Sequence, residues 1–101
     1  MKTYRVVLGP LAVQDLRRSF EWGVEHWGYD KAETWFQHVH EMIIDNLSMM
    51  PLACPIARET EELEKEVRHL IIGRYRVLFT VEAEEVFVTR VTGPFTGRSE
   101  V

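Results

Sequence analysis

The sequence predicts an α+β fold of order β-α-α-β-β-β, with a helical hairpin packed on one face of a small antiparallel sheet. Three observations lead there. Residues 10–27 repeat apolar side chains at helical spacing, and residues 30–50 do so again after a short turn. Residues 67–91 alternate apolar and polar side chains in three short runs divided by tight turns. The chain has 101 residues, 46% of them apolar, which suits a single domain over residues 1–101. Two separate cores in that length would each be marginal.

Tyr4-Arg5-Val6-Val7-Leu8 alternates as a strand, and Gly9-Pro10 ends it. Pro10 fits the first helical position because it has no N–H to leave unpaired there. From Pro10 to Trp27, the residues Val13, Leu16, Phe20, Val24 and Trp27 fall within about 80° of one another. They form a stripe expected to be buried. Gly28 supplies a left-handed stop. Asp30, with Glu33 three residues on, reads as an aspartate capping box opening a second helix. Ala32, Trp35, Phe36, Val39, Met42, Ile43, Leu47 and Met50 mark the inner face of that helix, and Pro51 closes it. A short turn makes the pair an antiparallel hairpin.

Residues 51–66 read as a connector, with the run Glu59 to Glu66 expected to be solvated. Three strands follow, Val67 to Ile72, Tyr75 to Val81 and Val86 to Val91, joined at Gly73-Arg74 and at Glu82 to Glu85 as a meander. The expected core is Val13, Leu16, Phe20, Trp35, Phe36, Val39, Ile43, Val77 and Phe79.

Twelve basic against sixteen acidic side chains leave a net charge of −4, which argues against a protein that coats nucleic acid. The charge is uneven: residues 51–66 carry −3, whereas residues 67–101 carry +1. Cys54 has no partner, so an intrachain disulfide framework is excluded and a reducing compartment is expected. No apolar run approaches the roughly 20 residues of a membrane helix, and Val6 to Leu8 is too short for a signal-peptide core. A cytoplasmic location and no membrane association follow as expectations. His38 and His40 point about 200° apart on a helix, and no HExxH or CxxC spacing occurs. No metal and no cofactor are therefore expected, and Walker, GxGxxG and nucleophile-elbow patterns are missing as well.

Two constellations point to binding. Trp22 lies opposite the apolar stripe, and Arg18 four residues earlier can stack on it, which suits a partner contact. Coverage by neighbouring residues or by the tail is the bland alternative. Arg68, Arg74, Arg76, Arg90 and Arg98 form a cationic face suited to phosphate or carboxylate. Pairing with nearby glutamates is the alternative there.

Leu8-Gly9-Pro10, Asp15-Leu16, Pro51, Arg68-His69-Leu70 and the segment Gly73 to Phe79 (Gly-Arg-Tyr-Arg-Val-Leu-Phe) occur in that order. In this combination the chain resembles the RelE/ParE superfamily of type II toxins, also called plasmid stabilisation proteins. The resemblance implies a toxin held silent by a cognate antitoxin that wraps it, alone or as a homo- or hetero-oligomer. RelE-like members cleave messenger RNA on the ribosome, and ParE-like members inhibit DNA gyrase. In the nuclease branch Arg76 would stabilise the scissile phosphate, His69 would lie near a catalytic basic group, and Arg98 near a late arginine.

Departures weigh against that branch. Residues 67–101 contain no lysine, no tyrosine follows Tyr75, and Thr92 to Thr96 replaces a histidine-containing segment. Arginine stays protonated and is a poor base, His69 stands alone as a proton carrier, and no acid is evident beside it. The expected function is ParE-like gyrase inhibition. Ribosome-dependent messenger RNA cleavage and an inactive relative that only binds a partner are the alternatives, so whether the chain is an enzyme stays open.

Overall fold

A computed structural model describes residues 3–93. The elements run β1 (Arg5–Leu8), α1 (Pro10–Trp27), α2 (Tyr29–Met49), a 3₁₀ turn (Pro51–Ala53), α3 (Glu59–Leu63), β2 (Arg68–Ile72), β3 (Tyr75–Glu82) and β4 (Glu85–Thr92). The sheet order is β1-β4-β3-β2. The last three strands form the expected antiparallel meander. β1 joins its open edge parallel to β4, with Val6 opposite Val86 and Leu8 opposite Val88. A parallel pair needs a long crossover, which the hairpin and the meander provide here. The sheet is therefore mixed. Among the described residues no helix is long and apolar enough to cross a membrane.

One residue joins the two long helices. Gly28 takes φ 95° and ψ 160°, donates its N–H to Val24 O at 3.1 Å and accepts from Ala32 N at 3.1 Å. It closes α1 and opens α2 at once. The expected capping box is absent for that reason: α2 starts at Tyr29, and Asp30 lies inside its first turn with no side-chain cap bond. A side chain at Gly28 would be strained in this region of backbone space.

The buried face of α1 corrects the sequence reading. It consists of Ala12, Asp15, Leu16, Ser19 and Gly23, a line turned about 80° from the apolar stripe. Val13 is 41% exposed, Trp27 is exposed, and Phe20 and Val24 are half-buried. Small residues face inward because the helices approach closely. A Cβ on Gly23 would stand 3.0 Å from a Trp27 ring carbon and 3.2 Å from Ala32 Cβ. The core that results is Leu16, Val39, Ile43 and Leu47 from the helices against Val77, Phe79, Val86, Val88 and Val91 from the sheet. Trp35 and Phe36 pack against it half-buried.

The opposite face of the sheet is partly roofed. Alternation turns Leu78 away from the main core, where it meets Ala57 and Val67 in a small second cluster. Backbone bonds stitch the connector to β2, Ala57 N to Val67 O at 2.7 Å and His69 N to Pro55 O at 3.1 Å. Thr60 Oγ1 donates to Val67 O and accepts from Val67 N, at 3.0 and 2.9 Å.

Candidate functional site

Arg76, on β3, donates from Nη1 to Glu59 Oε2 at 2.9 Å and from Nη2 to Glu59 Oε1 at 3.1 Å. Its Nη2 also donates to His69 Nδ1 at 3.0 Å. A guanidinium has no lone pair to offer, so Nδ1 must be the acceptor and the ring proton sits on Nε2. The register places His69 opposite Leu78 and Ile71 opposite Arg76, so the imidazole and guanidinium share the outer face. The hydrogen bond from Arg76 holds the Glu59 carboxyl down at about 2, and the same bond raises Arg76. Arg58 completes a cavity of about 290 Å³ with His69 and Arg76.

Arg68 turns to its own chain. Its Nη1 donates to Cys54 O at 2.6 Å and Leu52 O at 3.3 Å, and its Nη2 pairs with Glu66 at 2.6 Å. It pins the 3₁₀ turn against β2. Burial raises the nearby Cys54 thiol, with Arg68 opposing, which favours the inert protonated form. Arg90 is bound to α1 instead: Nε and Nη2 reach Asp15 Oδ2 and Oδ1 at 2.8 and 2.9 Å. Val91 N adds a third bond to Asp15 at 2.9 Å. Arg74 is exposed in the β2–β3 turn, and Arg98 lies outside the described residues. The structure thus brings Arg76 and His69 together, while Arg68 and Arg90 each bond a carboxylate elsewhere.

Glu59 and Asp15 are the partners that sequence reasoning missed. Glu59 was expected to be solvated; it is half-buried and ion-paired to a strand 17 residues on. No local pattern encodes that contact. Asp15 left no trace either, because it stands about 140° from the apolar stripe, where a carboxylate reads as solvent-facing.

Apolar residues of β1, α1 and α2 line a second feature. Leu8, Val13, Leu16, Phe20, Tyr29 and Phe36 form a groove of about 530 Å³ beside β1, with Arg17, Glu33, Gln37 and His40 along its rim. Phe20 meets Tyr29 and Phe36 edge-on, at 5.9 and 6.1 Å between centroids. Trp22, expected to be exposed, is half-buried, with His26 stacked on it at 3.8 Å and Trp27 edge-on at 5.4 Å. Arg18 is exposed one turn before it.

Comparison with known proteins closes the question of kinship. No curated protein matches the chain. The solved structure described as "Chromosomal ParDE TA system from P. aeruginosa" shares 21% identity over 89% of this chain and 95% of its own, with a TM-score of 0.72. That likeness extends to the fold. Residues 6–93 match the family described as the ParE toxin of the type II toxin-antitoxin system, parDE, which spans β1 through β4 and both features above. The chain therefore belongs to the ParE toxin family of type II toxin–antitoxin systems.

Proposed function

We propose that this toxin acts in the cytoplasm by inhibiting DNA gyrase, and that a segment of its antitoxin silences it by seating in the apolar groove beside β1. The observation that carries this reading is the state of the three strand arginines. Arg76, Arg68 and Arg90 all bond internal carboxylates, so the cationic face has little free charge for a scissile phosphate. A binding surface fits that state better than a nuclease site. In a purified system the chain should block gyrase supercoiling and leave messenger RNA intact in a translation extract. Expression without its neighbouring gene should slow growth, and expression with it should not. Inactivity in both biochemical assays would favour a relative that only binds a partner.

The groove supports the antitoxin contact because it is apolar at its floor and carries Arg17, Glu33 and His40 on its rim. An amphipathic segment of mixed charge suits it. Val13→Glu changes an exposed position, so it should keep the fold and lose co-purification with the antitoxin. Trp22 and Arg18 extend the same hairpin and form the second contact proposed for that partner.

One observation favours a second reading. Glu59, His69 and Arg76 place a carboxylate, an imidazole and a guanidinium within hydrogen-bond reach, the groups that proton transfer at a phosphate requires. On that reading the toxin cleaves messenger RNA on the ribosome. Cleavage in the extract that vanishes in His69→Ala and Arg76→Ala would establish it and displace gyrase inhibition.

A further inference from the structure

Arg76, His69 and Arg58 line one cavity on the outer sheet face, and Glu59 holds the Arg76 guanidinium beside it. Both oxygens of that carboxylate are engaged by the Arg76 fork, and open volume remains beside it. We infer that this is a carboxylate-binding site for an acidic side chain of a protein partner, occupied in the free chain by Glu59 acting as an internal stand-in. The inference does not depend on which target the toxin has.

Two parallel N–H···O bonds to one carboxylate are the mode by which guanidinium selects a planar two-oxygen anion. The bond from Arg76 to His69 Nδ1 fixes the guanidinium from a second side and leaves an Nε2–H donor on the ring. An incoming carboxylate meets a site already oriented for it.

The occupant is also easily exchanged. α3, which carries Glu59, has five residues, none of them fully buried. Releasing Glu59 therefore leaves the main core intact. While tethered, it competes at an effective concentration of roughly millimolar or more. A free acid is excluded by that competition, whereas a partner that makes contacts elsewhere can displace it.

Charge selects the class of ligand. Residues 51–66 carry five glutamates against Arg58 and Lys65. A nucleic-acid backbone, with a charge at every step, is repelled along that connector. A single carboxylate in an otherwise neutral or basic peptide escapes the penalty and gains Arg76. Discrimination then rests on the repulsive connector as much as on the attractive fork.

Titration of Glu59→Gln and the native chain with acetate, and with a single-stranded RNA oligonucleotide, tests the assignment. The readout is the backbone amide resonances of Arg58 and His69, which line the cavity and survive in every variant. Glu59→Gln should bind acetate at least about tenfold more tightly than the native chain, and Arg76→Gln added to it should abolish the response. Circular dichroism should report an intact fold for Glu59→Gln. If it melts, Glu59→Asp, which keeps the charge but shortens the reach, should show an intermediate gain. Equal acetate affinity in the native and released chains would overturn the inference. So would tighter binding of the oligonucleotide than of acetate, which would make the face a nucleic-acid surface.

Discussion

Asp15 is 2% exposed and accepts two bonds from Arg90 and one from the Val91 backbone. A buried carboxylate is tolerable when its lone pairs are filled by a fixed cation and N–H donors. Asp15→Ala leaves the Val91 N–H and the Arg90 fork without their acceptor, and should cost about 3 kcal/mol in urea denaturation. Glu59 makes a pH prediction of defined sign. Its carboxyl falls from the ordinary 4.5 to about 2, chiefly through the bond from Arg76. The folded chain thus binds fewer protons there than the unfolded chain, so the stabilisation is complete above pH 4.5 and is lost as pH falls toward 2. The stability gap between the native chain and Arg76→Gln should narrow across that window. Of these contacts the sequence made the cations legible and left their partners hidden. Arg76 and Arg90 announce themselves by residue type, but an ion pair across 17 or 75 residues depends on tertiary closure.

At the scale of the element, two hairpin turns make an opposed pair of predictions. Gly73 and Ala83 each follow the last residue of a strand, and both take positive φ, 59° and 55°. Glycine accepts that region freely, whereas alanine is strained there. Ala83→Gly should therefore raise stability and Gly73→Ala lower it, each by about 1 kcal/mol, read as opposite shifts of the denaturation midpoint. The two long helices and the meander were readable because period 3.6, proline placement and period 2 are local signals, whereas α3 inside the connector was not expected. The inner face of α1 was not. Hydropathy selects Val13 and Trp27, but close approach selects Ala12, Ser19 and Gly23, and proximity wins where backbones nearly touch. The capping box failed on the same local competition, since Gly28 already ends one helix and begins the next.

The described residues form two apolar clusters of unequal size, and their loss should be felt differently. Phe79 is fully buried in the main core. Phe79→Ala should cost about 3–5 kcal/mol and lower the cooperative thermal transition of the entire fold. Leu78 touches the small cluster with Ala57 and Val67. Leu78→Ala should loosen the connector first, so that trypsin cuts after Arg58 or Lys65 well before global unfolding, as limited proteolysis would detect. The overall order of elements was readable from the sequence, because each long periodic run declares one element. The place of β1 was not, since nothing in Tyr4 to Leu8 states which strand edge it will join.

That pairing of β1 with β4 governs when the toxin comes into being. The hairpin and the meander are each made of near neighbours, but Arg5 meets Glu85 across 80 intervening steps of chain. Non-local closure is slow relative to helix or hairpin formation, because a long loop must be gathered before any contact repays it. Asp15 likewise waits for Arg90 and Val91. On the ribosome, the first strand and the first helix thus emerge without their partners and stay unfinished until β4 has been made. A chain truncated before β4 should therefore lack both the β1 pairing and the Asp15 contacts, and limited proteolysis should find its first strand and helix unprotected.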